Sequence, residues 1–146
     1  MSPIPRGARW SAAIAAIVLL AGAVAGVAQS GSATPPTDVK ALYDRSCASC
    51  HGTDGRGHGP AADALNPKPR DFTRGTYKFR STASGSLPSD DDLYRSIESG
   101  LPGTSMLGWK DILTEQQMRA LVVYVKQFSP RFSTEQPNPV PASRAI

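Results

Sequence analysis

Residues 47–51 read Cys47-Ala48-Ser49-Cys50-His51, and no other feature constrains the chain as tightly. These are the only two cysteines in 146 residues, so no disulfide framework is open to it. Three-residue spacing at a helix end puts both thiols on one side, and the adjacent imidazole reaches out from the same face. In C-x-x-C-H that arrangement attaches a haem. The thiols add across its two vinyl groups as thioethers, and a ring nitrogen of His51 takes the iron. Other uses of a cysteine pair fit less well. A thioredoxin-like redox couple needs a βαβ setting, whereas the flanking pattern here is helix and then a Gly-rich loop. A zinc site wants four ligands. Cys47, Cys50, His51 and His58 are nominally at hand, but two-Cys, two-His sites separate the pairs by about a dozen residues or more. A disulfide between Cys47 and Cys50 would close a tiny strained loop and stabilise little.

The rest of the chain lacks the means to build a core unaided. Apolar residues make up 40% and aromatics 7%, against 13 Gly and 13 Pro. Part of that apolar share lies in the first 28 residues. Thr37 or Asp38 can cap a first helix running to about Ser49, with Val39, Leu42, Tyr43 and Cys47 on one stripe. Four glycines between His51 and Pro60 make that stretch a loop. Pro60 to Leu65 has room for one or two helical turns before Pro67 and Pro69 stop them. Residues 68–88 read as irregular, with Tyr77 to Arg80 extended. Ser89-Asp90-Asp91-Asp92 starts a helix, a capping Ser followed by acids at the positive end of the dipole. Leu93, Tyr94 and Ile97 form its apolar face and Gly100 ends it. Thr114 and Gln117 make a capping box for a last helix to about Phe128, with Met118, Leu121, Val122, Val125 and Phe128 as its stripe. The expected class is all-α, with three to four short helices joined by long loops. A domain this small normally compensates with disulfides or metals. A haem at the centre answers the shortage.

The N-terminus reads as an export signal. Arg6 and Arg9 are the only charges before residue 38, and Trp10 to Ala28 is an uncharged, predominantly apolar run. Small residues follow around Ala28. Residues 1–28 are therefore expected to be a cleaved signal peptide. An uncleaved membrane anchor is the alternative, since 19 residues can just span a bilayer. Either way the remainder lies outside the cytoplasm, in the periplasm. Residues 29–36 read as a linker, 37–129 as the folded domain and 130–146, with four prolines and no apolar period, as a tail without structure. A net charge of +4 without a run of like charges marks no nucleic-acid partner.

The pattern resembles a class I (mitochondrial-type) c-type cytochrome of the bacterial monohaem kind, over roughly residues 37–129. Tyr43, four residues before Cys47, matches the aromatic that the family's first helix packs at a helix crossing. Leu121-Val122-Val123-Tyr124-Val125-Lys126 resembles the aromatic-bearing segment of its last helix. The resemblance implies the class I fold around one covalent haem c. It implies that the carbonyl of Pro60, in Gly59-Pro60-Ala61, accepts the hydrogen bond of the axial His51. It also implies that Leu101-Pro102-Gly103-Thr104-Ser105-Met106 is the loop that brings a Met ligand to the iron.

Met106 is the best-placed sixth ligand on other grounds too. Met1 leaves with the signal, and Met118 sits on the apolar stripe of the last helix, where a core role is the ordinary one. His58 is only seven residues from His51, a link too short to round the haem edge easily. Met106 lies 55 residues on, in a Pro/Gly loop, with Trp109 beside it and expected to pack against the haem. Two strong axial ligands leave no open site, so the expected function is one-electron transfer between redox partner proteins, not catalysis. Two rivals remain: a cytochrome subunit of a fixed membrane-associated oxidoreductase complex, and a haem enzyme or sensor with an open coordination site. Lys68, Arg70, Arg74, Lys78 and Arg80, against Asp71 alone, offer either a docking patch for an acidic partner or a solvated loop.

Overall fold

The computed structural model describes residues 38–140. The expected signal segment 1–28 and linker 29–36 lie outside the described residues. Helix α1 spans Val39–Ser46, and the Asp38 side chain caps it by accepting from the Ala41 N–H at 2.9 Å. The expected helix to Ser49 is broken at Cys47, whose φ of −125° leaves the helical region. The Cys47 N–H closes the last turn of α1 on the Tyr43 carbonyl, and its own carbonyl accepts from Cys50 and His51. A new turn, α2 (Ala48–His51), thus begins at Cys47 and ends at Gly52, whose φ of 75° suits glycine.

Helix α3 spans Asp90–Ser99 and α4 spans Glu115–Lys126. Both open on reciprocal capping boxes, Ser89 with Asp92 and Thr114 with Gln117. Helices α1 and α3 each pack against α4. Leu42 and Tyr43 of α1 are fully buried and meet Leu121 and Val125 of α4 in one cluster with Ala48 and Phe72. Tyr43 lies 5.1 Å from Tyr124 and 5.3 Å from Phe128 between ring centroids. On the other side, Lys126 reaches Asp90 at 2.6 Å and the Arg119 guanidinium sits 4.5 Å over the Tyr94 ring.

Between α2 and α3 only two short 3-10 turns form, Ala62–Ala64 and Phe72–Arg74. Tyr77 to Arg80 is not an extended piece. It bends at Lys78 and Phe79, and the Arg80 guanidinium donates back to the Tyr77 carbonyl and on to that of Ala83.

The tail also departs from expectation. Residues 131–134 form a short helix, α5 (Arg131–Thr134), and the chain then docks along residues 82–86. Ala83 N–H donates to Asn138 O at 2.8 Å, and Asn138 N–H to Ser86 Oγ at 2.8 Å. The physical reason is backbone pairing and one arginine. Arg131 donates to the carbonyls of Gly75 and Gly85, both at 3.0 Å, giving partners to a loop that has few of its own.

Candidate haem site

A cavity of about 520 Å³ opens between α2, the loop before α3, the loop after it and α4. That volume suits a cofactor-sized group. Cys47, Cys50 and His51 line it together with Met106, Trp109, Leu121 and Val125. Met118 is buried in the core of α4 and does not line it. His58 is exposed in its loop, and among the described residues no cluster of three or more His, Cys, Asp or Glu is set to hold a metal ion.

Pro60 is not where the resemblance would have it act. It is exposed and absent from the cavity wall. The His51 Nδ1 instead lies 3.0 Å from the carbonyl of Arg70. Residues 59–61 are spent on the back of α2: Gly59 N–H donates to Cys50 O and Ala61 N–H to Ser49 O. Gly59 is pressed so close that a Cβ there would stand 2.4 Å from the carbonyl oxygens of Ala48 and Ser49. The bond to His51 therefore comes from the segment beyond Pro67 and Pro69. Sequence reasoning missed this role of Arg70, although the Pro-x-Pro run, which resists helix, is the signal that its carbonyls stay free.

A carbonyl only accepts, so Nδ1 carries the proton and Nε2 keeps its lone pair. Burial lowers the His51 pKa from its ordinary value, and the Arg70 contact opposes this only in part. The ring is held neutral, the form that binds a metal. Burial, with Cys50 adding, pushes the Cys47 thiol up to about 11. A thiol so held is a poor thiolate, which argues against a redox-active pair.

The Met106 loop is held by its own bonds. Met106 N–H donates to Thr104 Oγ1 at 3.1 Å, Leu101 N–H to the Met106 carbonyl at 3.0 Å, and Trp109 N–H to Ile97 O at 3.0 Å. Tyr77 is one of the residues that line the same cavity, and its buried hydroxyl has no partner among the described residues. Burial raises its pKa, so it stays protonated, a donor without an acceptor. Two thiols, an imidazole with a free Nε2, a methionine sulfur, apolar walls and an orphaned donor fit an iron porphyrin bearing carboxylates. The cations Arg45, Lys68, Arg70 and Lys78 line the cavity, and among the described residues no acidic one does.

The comparisons with known proteins agree. The family model for cytochrome c matches residues 36–129. The chain is 33% identical to cytochrome c55X of Paracoccus denitrificans (strain Pd 1222), covering 75% of this chain and 87% of that one. It is 32% identical to cytochrome c55X of Stutzerimonas stutzeri, covering 62% and 69%. Among solved structures, a chain of the Kuenenia stuttgartiensis reducing HAO-like protein complex aligns with a TM-score of 0.67 and 48% identity. That alignment covers 69% of this chain and 46% of the other, so the chain matches less than half of that subunit. With an all-α fold built round a cavity that presents the C-x-x-C-H residues, the chain belongs to the cytochrome c family and its prosthetic group is one covalently bound haem c.

Proposed function

We propose that this cytochrome c is a one-electron carrier of the periplasm whose iron is held between His51 and Met106. The supporting observation is that Met106 shares its cavity with Cys47, Cys50 and His51, whereas Met118 and His58 do not. When bound, the haem supplies a ferric/ferrous couple. His51 offers Nε2 while its Nδ1–H stays on Arg70 O. Met106 offers a soft sulfur, which favours the ferrous state and raises the potential over a second imidazole. With His51 and Met106 both holding the iron, no place would be left on it for oxygen or a substrate, and the protein would carry electrons rather than act as an enzyme. The cationic lining favours a redox partner with an acidic surface.

The test is Met106→Ala in the holoprotein. The long-wavelength sulfur-to-iron band of the ferric spectrum is lost, the potential falls and the ferrous form gains carbon monoxide binding. Survival of that band refutes Met106 as ligand. Ready carbon monoxide binding by the unaltered protein favours a haem enzyme or sensor with an open site.

A second reading, the cytochrome subunit of a fixed complex, is favoured by the 48% identical chain of the reducing HAO-like protein complex. Native mass of the exported protein separates the two. A free single chain supports the carrier, and a stoichiometric assembly supports the subunit.

A further inference from the structure

The His51 imidazole has a neighbour besides the Arg70 carbonyl. Phe72 stacks on it, with ring centroids 4.4 Å apart and planes inclined by 18°. An axial imidazole can turn about its bond to the metal. One hydrogen bond restrains that turn at a single atom, and a flat ring against its face restrains the rest. We propose that Phe72 is a positioning residue that sets the plane of the axial imidazole, so that Arg70 and Phe72 form one clamp. The proposal rests on His51 being the iron ligand.

Phe72 is built to hold. The residue is 8% exposed and its N–H donates to Gly55 O at 2.7 Å. Behind it lie Tyr77, at 6.3 Å and 13°, and Phe128, at 6.1 Å and 26°. Asp71 caps the 3-10 turn by accepting from Thr73 N–H at 2.9 Å, and Gly75 ends it in the left-handed region. The partner loop is fitted to this segment. At Gly57, φ is 76° and a Cβ would meet the Pro69 carbonyl at 2.6 Å. At Gly55 a Cβ would meet the Phe128 ring at 2.6 Å. The loop that leaves His51 is thus locked to the segment that grips His51, and the ring plane is inherited from the packing of Phe72. Leucine at 72 would keep the apolar contact and remove the flat face.

The experiment compares Phe72→Leu, Phe72→Tyr and Phe128→Leu as holoproteins. It reads the ferric electron paramagnetic resonance g-values, whose spread follows the orientation of the axial ligands, and the reduction potential. Phe72→Leu shifts both and Phe72→Tyr restores both. Phe128→Leu takes away one ring that packs on Phe72 but leaves Phe72 against His51, so it lowers the melting temperature and shifts the g-values by less than Phe72→Leu does. Unchanged g-values in Phe72→Leu, or an equal shift in Phe128→Leu, overturn the proposal. Should Phe72→Leu fail to mature, the unaltered ferrous holoprotein decides by nuclear Overhauser contacts. Strongly ring-shifted His51 protons in contact with Phe72 ring protons support the clamp. Shifted His51 protons without that contact overturn the clamp and leave His51 as ligand. Absence of shifted His51 protons overturns the ligation and the clamp together.

Discussion

The Tyr43 hydroxyl donates to the carbonyl of Gly52 at 2.7 Å, and both residues are buried. This bond joins helix α1 to the residue that follows His51. Tyr43→Phe keeps the ring among Tyr124 and Phe128 and removes only the hydroxyl. The expected cost is about 1 kcal/mol in denaturant unfolding, with the haem spectrum unchanged. Burial raises the Tyr43 pKa above its ordinary 10.0. The folded state therefore keeps the proton after the unfolded chain has lost it. Stability falls as pH climbs beyond 10.0, and Tyr43→Phe lacks that part of the fall.

Much of this arrangement is legible in the sequence, and the boundary is physical. Capping boxes at Ser89 and Thr114 and the stripe Met118, Leu121, Val122 and Val125 are local patterns, and both helices form where those patterns place them. Cys47, Cys50 and His51 are legible because the chemistry of attachment fixes their spacing. The partner of His51 is not legible. Arg70 is chosen by the close approach of Gly57 and Gly59 to neighbouring backbone, a contact that no periodicity encodes. The docked stretch after Pro130 escapes for a similar reason. Its hold is Arg131 on two loop carbonyls and the pairing of Asn138, long-range contacts without an apolar pattern.

Gly100 fixes the height of the Met106 loop. Its φ is 68°, and a Cβ there would lie 2.5 Å from the Met106 carbonyl and 2.6 Å from the Gly108 nitrogen. Gly100→Ala is expected to cost about 1–3 kcal/mol or more, because backbone strain and collision add. With Met106 on the iron as proposed, the sulfur-to-iron band then fades at a lower temperature than in the unaltered protein, while the haem stays covalently attached. Gly103→Ala is the control. Its φ is also positive, at 79°, but a Cβ there meets nothing within 4 Å, so it brings strain without displacing Met106. Thermal scans of both variants at that band make the comparison.

Asp92 gives the fold an acid limit. Burial works against its charge, but bonds from Ser89 N–H at 2.9 Å and Ser81 Oγ at 3.1 Å outweigh it and hold its pKa below the ordinary 3.8. The unfolded chain takes up the proton first as pH falls. The stabilisation is therefore complete above the unfolded value and is lost as pH drops through the folded one. Asp92→Asn should cost about 1–3 kcal/mol at neutral pH. The gap to the unaltered protein should close below 3.8, since the amide does not titrate. Urea unfolding of both proteins at neutral and acid pH checks the sign.

Arg131 ties the C-terminal segment to the loop that walls the cavity. It donates to Gly75 O and Gly85 O, and its neighbour Phe132 packs edge-on against Tyr77 at 6.2 Å. Arg131→Ala removes the tie and leaves Phe132 in the chain. Amide exchange over residues 75–86 should then quicken, led by Ala83, whose N–H rests on Asn138 O. The haem spectrum should not change, because Arg131 does not line the cavity. Truncation after Pro130 goes further. It strips Phe132 from Tyr77, a cavity wall residue, so the same rise in exchange should come with a shift in the reduction potential. Hydrogen exchange on the two holoproteins, paired with a redox titration of each, separates loss of the tie from loss of the wall.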